Sequence, residues 1–178
     1  MTNPPLAQTD PELARTATGM VRGVVEPDHR LFAGIPYAAP PLGPLRWQPP
    51  APAPPWSGVR DATRPGPRCI QEPGGDPEFG RQSDEDCLTL NVWTPATPGS
   101  PRPVMVWIHG GSFVSGSGGM VDPRRFVTRG DIIVVTINYR LGALGFLAHP
   151  SLGPAGDVGN YGLADQQAAL RWVRDNIA

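Results

Sequence analysis

Lysine is missing from this sequence: all 15 basic side chains are arginine. Its absence removes the phosphate-binding loop as a reading of Gly116-Ser-Gly-Gly119, because that loop ends in Gly-Lys-Ser/Thr. The arginines read as coding bias in a GC-rich genome rather than as a binding surface. With 16 acidic residues the formal net charge is only -1, so there is no electrostatic basis for binding nucleic acid or an anionic membrane. Cysteine is scarce as well. Cys69 and Cys87 are too few for a disulfide framework or a zinc site, and no metal or other cofactor is expected. No apolar run approaches the roughly 20 residues that a membrane helix needs. The first ten residues lack a basic start and an apolar stretch, so the expectation is a cytoplasmic protein, unless the true start lies upstream.

Glycine (22) and proline (24) are abundant, together about a quarter of the 178 residues. Residues 1–14 read as a loose polar tail, and 15–178 as the structured part. From Thr16 to Val25 the chain is β-like, with turn points at Gly19 and Gly23. Residues 36–67 are crowded with prolines, which exclude helix and cannot donate to a sheet ladder. Tyr37, Leu42, Leu45, Trp47 and Trp56 are interleaved with them. That mixture predicts an ordered coil lying on a core rather than a flexible linker. The segment from Gln71 to Asp86 reads as an acidic loop.

Beyond it, Leu88–Trp93 alternates like a half-buried strand. The runs 103–108 and 132–137 are nearly continuously apolar and β-branched, as expected of parallel strands covered on both faces. Residues 122–129 suit a short helix. From Leu163 to Ile177, Leu163, Leu170, Val173 and Ile177 form one helical stripe, with Asp165 placed to favour the positive end of the helix dipole. Strand, helix, strand, helix predicts an α/β fold with a mostly parallel central sheet after a small N-terminal β region. The last helix should deliver the chain to another strand, yet the sequence stops at Ala178, so truncation is expected.

The chemistry concentrates in Trp107-Ile-His-Gly-Gly-Ser-Phe113. A strand that ends in two glycines can aim several backbone N–H groups at one point. Acyl transfer needs that arrangement, because its tetrahedral intermediate carries an oxyanion. Gly110, Gly111 and Ser112 are therefore the candidate oxyanion-hole residues. The tetrapeptide alone also fits a plain strand-end turn. His109 reads as an orienting residue rather than a base. No serine stands in Gly-x-Ser-x-Gly, and Cys87, beside Asp84, Glu85 and Asp86, is a poor nucleophile. Cys69 and Cys87 could pair, which would contribute roughly 3 kcal/mol; a reducing cytosol argues against the bond.

Several blocks occur together and in order. They include Phe32-Ala-Gly-Ile-Pro-Tyr37, Gly66-Pro-Arg-Cys-Ile-Gln71, Glu85-Asp-Cys-Leu-Thr-Leu-Asn-Val-Trp93, Val106-Trp-Ile-His-Gly-Gly-Ser-Phe113, Asn138-Tyr-Arg-Leu-Gly142 and Gly159-Asn-Tyr-Gly-Leu-Ala-Asp-Gln166. In these blocks, from about Thr18 onward, the sequence resembles the type B carboxylesterase (carboxylesterase/cholinesterase) family. The resemblance implies the N-terminal part of an α/β-hydrolase that cleaves small-molecule carboxylic esters through Ser, an acid and His. It makes Gly111 and Ser112 oxyanion donors, with Gly110 shaping the turn, and Cys69 and Cys87 a disulfide pair. The triad of that family has no counterpart here, so the chain by itself is expected to be inactive and to need the missing C-terminal portion of its domain. The stretch 70–86 has Phe79 but no Trp, which favours a general esterase over a choline-ester specialist. Two other readings are a non-catalytic recognition module of the same fold and a truncated product without function.

Overall fold

The computed structural model describes residues 10–72, 83–97, 101–154 and 158–177. Residues 1–9 of the expected tail and Phe79 lie outside them. Leu13 and Ala14, placed in that tail above, already belong to β1 (Leu13–Thr16), which pairs antiparallel with β2 (Gly19–Arg22).

Among the described residues the central sheet has five strands. β3 (Val24–Val25) and β4 (His29–Pro36) form a hairpin, and β4 lies beside β8 (Thr89–Pro95). β8 pairs with β10 (Ile133–Ile137), and β10 pairs with β9 (Val104–Ile108) at the far edge. The order is therefore β3-β4-β8-β10-β9. Helix α1 (Arg124–Gly130) connects β9 to β10 and makes that pairing parallel, as the apolar runs implied. The other three pairings are antiparallel, so a mostly parallel sheet is not what this stretch of chain builds. Only one β-helix-β unit lies among the described residues. Strand β9 also departs from the expectation of cover on both faces: it stands at the edge, with Val104 and Ile108 exposed. β10, in the interior, is buried from Val134 to Ile137.

The proline-rich stretch is ordered. Gly43–Leu45 forms a 3-10 turn, and β5 (Val59–Asp61) extends the small sheet alongside β2. Its aromatics anchor it: the Trp56 indole donates to the Met20 carbonyl at 2.8 Å, Tyr37 to the Asn138 carbonyl at 2.7 Å and Trp47 to the Ala143 carbonyl at 3.0 Å. β6 (Arg68–Cys69) pairs in parallel with β7 (Ser83–Asp84), which lies inside the segment from Gln71 to Asp86 expected to be a loop.

After β10 come the short α2 (Gly142–Phe146) and α3 (Tyr161–Asn176). α3 buries Tyr161, Gly162, Asp165, Ala169, Trp172 and Val173, whereas Leu163 and Leu170 are exposed. Of the apolar stripe read from the sequence, Val173 and Ile177 pack on the core, whereas Leu163 and Leu170 face outward. Asp165 lies beyond the first turn, fully buried, and answers a buried arginine rather than the helix dipole. Among the described residues no helix is long and apolar enough to cross a membrane.

Candidate oxyanion turn

Strand β9 runs in register with β10, Ile108 opposite Ile137, so the residues that follow each strand emerge side by side. Two of them lock together. The His109 ring is buried and stacks on Tyr139 at 4.3 Å and 16°, and the Tyr139 hydroxyl donates to the His109 carbonyl at 2.9 Å. Burial holds the Tyr139 phenol above its ordinary pKa, so its O–H remains a donor at neutral pH. His109 Nδ1 lies 2.8 Å from the Gly110 carbonyl, which fits the orienting role expected of this histidine.

Beyond His109 the backbone turns left-handed over three residues: φ is +111° at Gly111, 54° at Ser112 and 62° at Phe113. Only glycine fits at the first, where a Cβ would stand 2.1 Å from the Ser115 carbonyl oxygen. The Gly111 carbonyl instead receives the amides of Val114 (3.0 Å) and Ser115 (3.1 Å). The Phe113 carbonyl accepts from Gly142 N–H at 2.7 Å, and its ring packs on Phe146 at 4.8 Å.

The far end of the turn is held by Gln71. Its amide makes a two-way clamp on the Gly116 peptide, accepting from the N–H and donating to the carbonyl, both at 2.9 Å. The same Nε2 also donates to the Cys69 carbonyl at 3.0 Å. Cys69 is joined to Cys87 by a disulfide, so the pair left open by the sequence is formed, and it tethers the end of β6 two residues before Gln71. Gly116 sits so close to His109 Nδ1 that a Cβ would stand 2.3 Å from it. Further on, Gly118 N–H donates to Asn138 Oδ1 at 2.8 Å.

Hydrogen bonding divides the loop in two. The amides of Val114 through Gly119 all donate: to Gly111, Gln71, Met120, Asn138 and Ser117. The amides of Gly110, Gly111, Ser112 and Phe113 donate to nothing among the described residues, and all four residues are exposed. Anchored neighbours thus hold a short run of unused donors at the surface, just past the end of the parallel pair. The roles of Gln71, Asn138 and Tyr139 were not evident from local sequence. All three lie within the blocks that carry the family resemblance, which was the one signal available.

An α/β-hydrolase is the class that this sheet order, the parallel β9–α1–β10 unit and the glycine turn define. Within that class, the chain belongs to the Carboxylesterase family, which matches residues 10–178. It is 49% identical to the fumonisin B1 esterase of Sphingopyxis macrogoltabida, covering 98% of this chain and 34% of that protein. It is 45% identical to the para-nitrobenzyl esterase of Bacillus subtilis (strain 168), covering 94% and 35% respectively. Among solved structures, a PNB esterase superposes with a TM-score of 0.87 at 42% identity, over 94% of this chain and 36% of the other. The chain thus spans about a third of the length of the relatives it matches.

Proposed function

We propose that this chain is the N-terminal portion of a carboxylic ester hydrolase that works through an acyl-serine intermediate, and that its contribution to catalysis is the oxyanion hole. The reading is carried by the unused amides of Gly111 and Ser112, the middle pair of four unengaged amides, Gly110 to Phe113, followed by six that are all engaged. When a nucleophile attacks an ester carbonyl, negative charge gathers on one oxygen. Donors already in position stabilise that charge without reorganising, and loss of one such donor typically costs about 3 to 4 kcal/mol of barrier. Gly110 shapes the turn. The Phe113 ring packs against Phe146 on the outer side of the turn.

The serine, acid and histidine belong to the rest of the domain, and the exposed edge of β9 is where further strands of the sheet would add. Without that portion the chain has donors but no nucleophile, and it is inactive. The substrate is a small carboxylic ester. No metal or cofactor enters the reaction as proposed.

The test uses the chain alone and the chain joined to the remaining two thirds of the Bacillus para-nitrobenzyl esterase. The chain alone should neither hydrolyse p-nitrophenyl acetate nor take up a fluorophosphonate probe. The fusion should do both. Stoichiometric labelling of a serine within residues 1–178 of the isolated chain would overturn the assignment of roles, as would a folded fusion that does not react.

A further inference from the structure

Each candidate oxyanion donor shares a peptide unit with a carbonyl that is itself held. The Gly111 N–H belongs to the peptide of the Gly110 carbonyl, and the Ser112 N–H to that of the Gly111 carbonyl. Both peptides are trans and planar, so holding the oxygen sets where the N–H on the opposite side points. The Gly111 carbonyl is held locally, by the amides of Val114 at 3.0 Å and Ser115 at 3.1 Å. The Gly110 carbonyl lies 2.8 Å from His109 Nδ1; a carbonyl only accepts, so that nitrogen carries the proton.

Behind this second pair stands Gly116. A Cβ placed there would lie 2.3 Å from His109 Nδ1 and 2.6 Å from the Gly110 oxygen, so its α-carbon packs directly on both. Gly116 is in turn pinned by the Gln71 amide, which accepts from its N–H and donates to its carbonyl, both at 2.9 Å. The other proton of Nε2 goes to the carbonyl of disulfide-bonded Cys69 at 3.0 Å. Both amide protons are therefore used. A flipped amide would set its oxygen against two carbonyls and its N–H against the Gly116 N–H.

We propose that Gln71 is a positioning residue for ester cleavage: through Gly116 it holds the Gly110–Gly111 peptide with its N–H aimed at the developing oxyanion. This rests on the ester-hydrolase reading. Gln71 touches no reacting atom. Its effect falls on kcat, because the donor it steadies matters most once charge has formed. Misplacement by about 1 Å can cost about 100-fold in such sites.

The test is made in the fusion with the rest of the para-nitrobenzyl esterase, with rates expressed per site titrated by the fluorophosphonate. Counting reacted sites removes any loss of folded protein from kcat. Gln71→Leu should lower kcat about 10- to 100-fold, with KM changed by less than about threefold. Gln71→Glu adds a proton switch. Ionised, it accepts from the Gly116 N–H but repels the Gly116 and Cys69 carbonyls. Protonated, its O–H donates to the Gly116 carbonyl again. Those carbonyls disfavour the anion and raise its pKa above the ordinary value of about 4.3. Relative to the parent fusion, kcat of Gln71→Glu should therefore rise at least about threefold as pH falls from about 8.5 to about 5.5. The same ratio for Gln71→Leu should stay flat. Glu72 and His109 are common to parent and variants and drop out of the ratio.

A kcat for Gln71→Leu within about threefold of the parent would overturn the proposal, as would equal pH courses for the two variants. A parent fusion that folds but does not react would overturn the ester-hydrolase reading instead. The Gly111 amide resonance of ¹⁵N-glycine-labelled fusion then reports the chain of contacts directly. Beyond its course in the parent, it should move with pH in Gln71→Glu and not in Gln71→Leu; a resonance that follows the parent in both would overturn the proposal. Should Gln71→Leu fail to fold, the pH course of Gln71→Glu decides alone.

Discussion

Arg140 and Asp165 form a buried, two-pronged ion pair: Nε and Nη2 of the guanidinium each lie 2.8 Å from a carboxylate oxygen. The Arg140 amide adds a third bond to Asp165 at 3.1 Å, and Nη2 reaches the Gln48 carbonyl at 2.9 Å. One pair thus ties the segment after β10, helix α3 and the proline-rich coil together, and it sets which face of α3 turns inward. Burial pushes the Asp165 carboxyl above its ordinary pKa, and the bonds from Arg140 oppose that rise. Removing one partner strands a buried charge. Asp165→Asn should therefore cost about 3 to 5 kcal/mol in urea unfolding. In a double-mutant cycle, Arg140→Met with Asp165→Leu should cost clearly less than the two single changes added together. Strict additivity would mean the pair does not hold the helix.

The two glycines of the turn make opposite predictions. A methyl group at Gly111 meets the Ser115 carbonyl and a backbone at φ +111°, whereas Gly110 has open space around it. Gly111→Ala should lose about 2 to 4 kcal/mol, and Gly110→Ala about 0.5 kcal/mol or less. Thermal unfolding checks the difference, and hydrogen exchange should locate the damage at the Val114 and Ser115 amides. Equal stability of the two variants would contradict the geometry.

The disulfide and Gln71 should act on the turn in series. Replacing both Cys69 and Cys87 by Ala should reduce stability by roughly 3 kcal/mol. Gln71→Leu keeps the bulk of the side chain but leaves the Gly116 peptide without its clamp, at about 1 to 3 kcal/mol. Faster exchange of the Gly116 amide should appear in both variants, and earlier in Gln71→Leu. Unchanged exchange at Gly116 would show that the clamp does not hold the loop.

Features written locally were legible in advance. The β-branched run Ile133–Ile137 needed only its own composition to read as a buried strand, and the glycines of the turn needed only their place after an apolar strand. What depended on distant partners was not legible. The parallel pairing of β9 and β10 followed from their type, but antiparallel neighbours on the other side of β10 are a matter of topology. Hydrophobic spacing put Leu163 and Leu170 inward, whereas the helix buries Asp165 because Arg140 awaits it there. Gln71 and Gly116 lie 45 positions apart, and nothing in the spacing of either announces the clamp.

The most direct measurement deletes one hydrogen-bond donor, the Ser112 N–H, while weakening the Gly111 carbonyl as acceptor of the Val114 and Ser115 amides. In the fusion with the rest of the para-nitrobenzyl esterase, semisynthesis can replace the Gly111–Ser112 amide by an ester, which removes the Ser112 N–H with little change of shape. The account predicts a fall in kcat of about 10²- to 10³-fold with KM nearly unchanged, because the bond forms only as the oxyanion develops. A kcat within about threefold of the amide-containing fusion would contradict it, since that is far below what an oxyanion donor contributes.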